Sequence, residues 1–185
     1  MTGDLLGLIA VILLLIFASA FFSSAETALT AASDARMRQL AGKGNRRAML
    51  VERLRDDREG LIGSILIGNN AVNVIASALA TSVFISILDD AGVVWATITM
   101  TVILVVFAEV MPKTYALTHS DKYALMIAPP VRVVVLLLRP LSMALSVLAN
   151  SLIGKRRTDD SDREEELRGM IELHGADGDA DDRET

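Results

Sequence analysis

A single carboxylate, Glu109, interrupts an apolar run that opens near Ala91, and Pro112 follows it three residues later. An acid at membrane depth is costly, and by default it marks an ion or proton pathway. Pro112 has no N–H to give, and its ring crowds the carbonyl of residue i−4, Ala108. The same turn is therefore expected to hold an under-bonded carbonyl and a kink. Two other apolar runs carry polar residues at helical spacing. Ser19 and Ser23 are four apart and share a helix face, which Glu26 continues. Asn69 and Asn73 are likewise four apart, and Gly68 beside them permits close approach of another backbone. Hydroxyls, amide oxygens, a freed carbonyl and one carboxylate make an all-oxygen set, which suits a hard cation such as Mg²⁺, Ca²⁺ or Mn²⁺. One carboxylate against a divalent ion leaves the site net positive, so modest affinity and ready release are expected, as transport requires.

Three apolar spans must position these groups, over residues 5–27, 60–88 and 91–117. The first has an uncharged portion of roughly 20 residues, enough to cross a hydrocarbon core of ~30 Å. It has no basic residue ahead of it and runs on into Ser23-Ser24-Ala25-Glu26, so it reads as a retained span rather than a signal peptide. The loop after it carries Arg36, Arg38, Lys43, Arg46, Arg47, Arg53, Arg55 and Arg58. The positive-inside rule makes that loop cytoplasmic and the N-terminus external, in a multi-pass protein of the cell (inner) membrane with a cytoplasmic C-terminus. Met37, Leu40, Leu50 and Leu54 give the loop the periodicity of short amphipathic helices lying on the inner face. Asp89-Asp90-Ala91-Gly92 reads as a tight outer turn.

At a rise of about 1.5 Å per residue, Ser19 and Ser23 lie about 21–27 Å from the outer surface and Glu109 about 27 Å. Asn69 lies about 13 Å from the inner surface, so with helix tilt all three groups fall at similar depth in the cytoplasmic half. Each group also has a purely structural reading. Serine and asparagine in membrane helices serve as packing and hydrogen-bonding residues. Glu109 could snorkel to the interface and pair with Lys113, four residues on. Pro112 could be a simple kink, and Glu26, near the interface, could pair with a loop arginine. His119 and His174 read as solvated.

The fourth apolar stretch, 123–154, holds Pro129-Pro130, Pro140, Arg132 and Arg139, and both its ends read as cytoplasmic. A re-entrant or juxtamembrane helical hairpin reconciles these constraints if its irregular backbone is buried in protein. Residues 155–185 are acidic. Their 164–173 portion has an amphipathic helical pattern, and an Asp-rich loop comes after it that lacks the closing glutamate of a calcium loop. The fold class is thus an all-α integral membrane protein: three transmembrane helices, a Pro-interrupted juxtamembrane or re-entrant helical segment, then a short cytoplasmic acidic helix.

Charge segregation explains how 185 residues with net charge −5 can be 52% hydrophobic without being a soluble acidic domain. With no cysteine, disulfides, zinc–thiolate sites and thiol catalysis are excluded. Few aromatic residues leave no stacking platform for nucleic acid. No nucleophile–base pair or phosphate loop supports an enzyme.

Phe22-Ser23-Ser24-Ala25-Glu26-Thr27-Ala28-Leu29, Gly68-Asn69-Asn70-Ala71-Val72-Asn73 and Glu109-Val110-Met111-Pro112-Lys113 resemble, in order, motifs of the transmembrane domain of the CorC/CNNM (cyclin M) magnesium transporters. The resemblance covers nearly the whole chain. It implies a homodimer with three membrane helices and a juxtamembrane helical belt per protomer. It also implies a dehydrated Mg²⁺ held between the helices and exported in exchange for Na⁺. Carried over by position, the ligands are Ser19 and Ser23, the Gly68 carbonyl with Asn69 and Asn73, and Glu109. Asn70 is left outside this set, because relatives can carry an apolar residue there. The resemblance further implies that the chain stops before a cytoplasmic CBS pair, where the family places nucleotide sensing. The alternative function is a non-transporting dimeric membrane anchor or Mg²⁺ sensor for such cytoplasmic domains. A membrane-damaging role fits poorly, because the polar groups lie within spans.

Overall fold

The computed structural model describes residues 2–153, and every regular element among them is helical. The acidic stretch from residue 155, with its expected helix and loop, lies outside the described residues. One compact unit runs from the N-terminus to Met143; of the second unit, only the last turns of the final helix fall among the described residues.

α1 (Thr2–Ala31) is followed by two short helices, α2 (Asp34–Gly42) and α3 (Arg46–Asp56). The end of α1 leaves carbonyls without helical partners. Arg55 of α3 takes two of them, Nε donating to Leu29 O at 2.6 Å and Nη2 to Ala32 O at 2.5 Å, while Nη1 pairs with Asp34 at 2.6 Å. Ser33 caps α2, and its own N–H goes to Asp121 Oδ1 at 2.8 Å. Asn45 caps α3 by accepting from the Arg47 and Ala48 amides. The amphipathic pattern expected here is present, with Met37 and Leu54 buried and Leu40 and Leu50 packed against the same core.

Asp57 caps α4 (Arg58–Leu88), accepting from Gly60 N at 3.0 Å. A 3₁₀ turn, Asp89–Ala91, with Asp89 at φ 49°, then reverses the chain into α5 (Gly92–Ile103). A Cβ on Gly92 would stand 2.5 Å from Phe84 and Ile85 backbone atoms, so only glycine lets the returning helix start this close to α4. A π-helix, Leu104–Val110, continues α5 and leads into α6 (Met111–Thr118).

Three helical stretches are long and apolar enough to cross a membrane: Leu5–Ala31, Arg58–Thr118 and Ser120–Leu145. The second has 61 residues, or about 90 Å of helix, several times what one ~30 Å crossing needs. It folds back at Asp89–Ala91 into two helical arms, over the expected spans 60–88 and 91–117.

The hairpin expected over 123–154 is not formed. α7 (Ser120–Ile153) runs as one helix through Pro129, Pro130 and Pro140. Its Ala124, Ile127, Ala128 and Val131 are all buried in the main core, so packing on both sides of the proline pair holds the helical path. Membrane-helix prolines are tolerated where neighbours re-satisfy the freed backbone groups.

Two apolar clusters fill the bundle. One joins Ala25, Ala28 and Leu29 of α1 to α2, α3, the start of α4, Ala116 of α6 and α7. The other joins Ile12 of α1, Ala76, Ala80 and Val83 of α4, and Met100 of α5, with Leu104 packed against it.

Candidate ion site

The two clusters do not touch the same residues, and the polar groups occupy the gap between them. Along α1 the second cluster ends at Ile16 and the first begins at Phe21. Along α4 the first cluster ends at Ile65 and the second resumes at Ala76. Along the third pass the second ends at Leu104 and the first resumes at Ala116. Ser19, Asn69, Asn73 and Glu109 fall inside these three gaps, while Ser23 lies between Phe22 and Ala25 of the first cluster. The gaps of α1 and α4 meet at the hydrogen bond between Ser19 and Asn69, and Glu109 lies in the gap of the third pass, so a polar layer separates the two clusters.

Within the layer, Ser19 is fully buried and its hydroxyl donates to Asn69 Oδ1 at 2.9 Å, joining α1 to α4. Ser23, one turn along, is buried with its Oγ unpartnered, and Asn73 Oδ1 is buried and unpartnered as well. A buried polar atom left unbonded costs about 1–3 kcal/mol, so these two call for an explanation. Gly68 is buried, but what approaches it is the Phe22 ring: a Cβ there would stand 2.7 Å from Phe22 Cζ and 3.2 Å from Leu138 Cδ1. The expected close neighbour was a backbone; it is an aromatic side chain from the serine helix. Asn70 is exposed, on another face of α4.

Glu109 is half-buried in the π-helix, which packs against α1, and its carboxylate has no hydrogen bond or ion pair among the described residues. The alternative pairing with Lys113 is not made. Lys113 instead reaches Glu26 Oε2 at 3.7 Å. That contact also corrects the loop-arginine partner expected for Glu26, because Lys113 stands nearer on the packed α6 helix.

The response to Pro112 differs from a plain proline kink. Met111 N–H bonds to Val106 O, an i−5 partner, rather than to Phe107. Pro112 has no N–H to offer in its place. Phe107's carbonyl therefore loses both its i+4 and its i+5 donor, in addition to the i+4 donor that Pro112 denies Ala108. Single-turn π segments recur at functional sites.

Two further serines carry no signal in the sequence. Ser24 is buried and shares a 3.0 Å hydrogen bond with the Tyr123 hydroxyl of α7. Ser64, one turn before Gly68 on α4, is fully buried with an unpartnered Oγ. An isolated serine in an apolar run has no periodic partner, so only the structure exposes it. No group of three or more His, Asp or Glu able to hold a metal occurs among the described residues. A cation here would rely on neutral oxygens and one carboxylate.

The family model described as the cyclin M transmembrane N-terminal domain matches residues 9–184. The chain belongs to this family. Among relatives of this cyclin M domain, the UPF0053 inner membrane protein YfjD of Escherichia coli is 46% identical over 106 residues, 57% of this chain and 25% of its own length. A UPF0053 protein of Haemophilus influenzae is 34% identical over 146 residues, 79% of this chain and 35% of its own. A chloroplastic DUF21 domain-containing protein of Arabidopsis thaliana is 34% identical over 177 residues, 92% of this chain and 27% of its own. The chain thus spans about a quarter to a third of these relatives' length. With its apolar helices, it is a multi-pass membrane protein of the cyclin M family.

Proposed function

We propose that this domain transports a divalent cation, most consistent with Mg²⁺ exported against Na⁺ entry. Its ligands are Ser19, Ser23, the Gly68 carbonyl, Asn69, Asn73 and Glu109. The observation that carries the proposal is the Ser19–Asn69 hydrogen bond joining α1 to α4, flanked by buried, unpartnered oxygens on Ser23 and Asn73, with Glu109, a carboxylate without a partner among the described residues, on the π-helix packed against α1. A dehydrated cation is the chemical species that turns such oxygens from a cost into ligands. Sodium, also a hard cation, suits the same donors and is the proposed coupling ion. We place the basic α2–α3 side in the cytoplasm, with the N-terminus outside. Assembly as a homodimer belongs to the same proposal.

The test is Mg²⁺ flux into proteoliposomes under an imposed Na⁺ gradient. Glu109→Gln keeps the shape of the side chain and removes its charge, and it is expected to abolish flux. Flux unchanged in that variant would remove the central ligand. Mg²⁺ binding without any flux would instead favour a membrane anchor or sensor.

A further inference from the structure

A second polar feature lies away from the ion layer, in a groove of about 350 Å³ between α3 and α7. Arg53, Arg132 and Arg139 line it, and Asp57 is the one acid among them. Asp57 is already committed: it caps α4 through Gly60 N and pairs with Arg139 at 3.3 Å. Arg53 and Arg132 are exposed and have no ion pair or hydrogen bond among the described residues. The groove therefore holds two uncompensated positive charges.

Its position identifies the anion. Asp57 and Arg58 stand immediately before the uncharged run that starts at Gly60, so the groove lies where α4 passes from water into hydrocarbon. Arg132 and Arg139 are seven residues apart, two turns on one face of α7 and about 10 Å along its axis. Between them, Leu136 and its neighbour Leu137 are 73% and 75% exposed. Guanidinium groups beside open leucines at the membrane boundary match an amphiphile, with a phosphate for the arginines and acyl chains for the leucines. A free phosphate ion would leave the leucines unused.

We propose that this groove binds the phosphate headgroup of an anionic glycerophospholipid, held by Arg53 and Arg132, with its chains along α7. Guanidinium matches phosphate in a two-pronged geometry that lysine does not reproduce.

The test titrates the purified chain in neutral detergent with phosphatidylglycerol, counting bound lipid by native mass spectrometry. Phosphatidylcholine and inorganic phosphate form separate arms. Each guanidinium–phosphate contact is charge-assisted and contributes about tenfold or more, so R53Q/R132Q is expected to weaken phosphatidylglycerol binding by at least about tenfold. Both side chains are exposed, and circular dichroism should show an unchanged helical signal. R53K/R132K should recover only part of the loss. R46Q/R47Q, which removes the same charge at the start of α3, should bind as the parent does. The proposal is overturned if phosphatidylcholine binds equally, if inorganic phosphate displaces the lipid at matched concentration, or if R46Q/R47Q weakens binding as much as R53Q/R132Q.

Discussion

Lys113 Nζ stands 3.7 Å from Glu26 Oε2, although Glu109 lies one helical turn before it on the same chain. The lysine thus ties α6 to α1 and leaves the deeper acid alone. Lys113 and Glu26 are 45% and 36% exposed, so their pairing is worth on the order of 0–1 kcal/mol. Glu26→Gln is expected to lower the melting temperature by no more than a few degrees and to leave Mg²⁺-dependent flux near the parent level. Loss of flux in Glu26→Gln with a normal melting temperature would bring Glu26 into the transport path.

Ser23 makes a prediction with an unusual sign. Replacing a buried hydroxyl by alanine ordinarily breaks a hydrogen bond, but Ser23 Oγ makes none. Ser23→Ala removes an unsatisfied group and should leave the metal-free chain as stable as the parent, or more so by about 1 kcal/mol. The stabilisation gained on adding Mg²⁺ should shrink at the same time. Thermal melts with and without Mg²⁺ read both quantities, and equal stabilisation of variant and parent would take Ser23 out of the ligand set.

Two glycines separate rigid from yielding neighbours. A Cβ on Gly68 meets the Phe22 ring at 2.7 Å, a side chain that can yield more readily than backbone. Gly68→Ala should cost about 1–3 kcal/mol, and Phe22→Leu should recover part of it. A Cβ on Gly92 meets the α4 backbone at 2.5 Å, where nothing can swing aside. Gly92→Ala should therefore be the more damaging of the two, though it lies far from the ion layer. Chemical unfolding of both variants in one detergent ranks them, and the reverse order would contradict the hairpin packing.

Arg55 is the main clasp between the short helices and the first span. Its side chain is 12% exposed, and its guanidinium meets Asp34 and the carbonyls of Leu29 and Ala32. Arg55→Gln cannot serve all three and strands carbonyls at the end of α1. A loss of about 2–4 kcal/mol is expected, since hydrogen bonds to a charged group contribute about 1.5–3 kcal/mol each and these are only partly replaced by water. A loss below about 0.5 kcal/mol, the range of an ordinary surface substitution, would show the clasp to be redundant.

Much of this is legible in the sequence because an apolar span makes each polar atom conspicuous. Ser19, Ser23, Asn69, Asn73 and Glu109 stand out against leucine and valine, and helix rise predicts a similar depth for the three groups they form. What pairing they make inside that level depends on competition that spacing does not encode. Lys113 could reach Glu109 or Glu26, and the packing of α6 on α1 decides. α7 departs from expectation for a related reason: three prolines argue locally for breaks, whereas the buried run Ala124, Ile127, Ala128 and Val131 holds the helix from outside it. Ser64 offers no pattern at all.

The π register gives the last prediction. Each residue advances an α-helix by about 100°, so the extra residue accommodated over Leu104–Val110 rotates α6 relative to α5. Glu109 sits within that segment, so the direction it faces depends on the register being kept. Pro112 withholds one N–H and so removes one of the bonds by which the α register would win. Pro112→Ala restores that donor. The segment should then shift toward α bonding, turning Glu109 away from the serine and asparagine layer while the helical content stays constant. Circular dichroism should be unchanged, and the Mg²⁺-induced rise in melting temperature should fall toward that of Glu109→Gln. If Pro112→Ala keeps the full Mg²⁺ response, the register is set by α1 packing rather than by the missing donor, and the proline is only tolerated there.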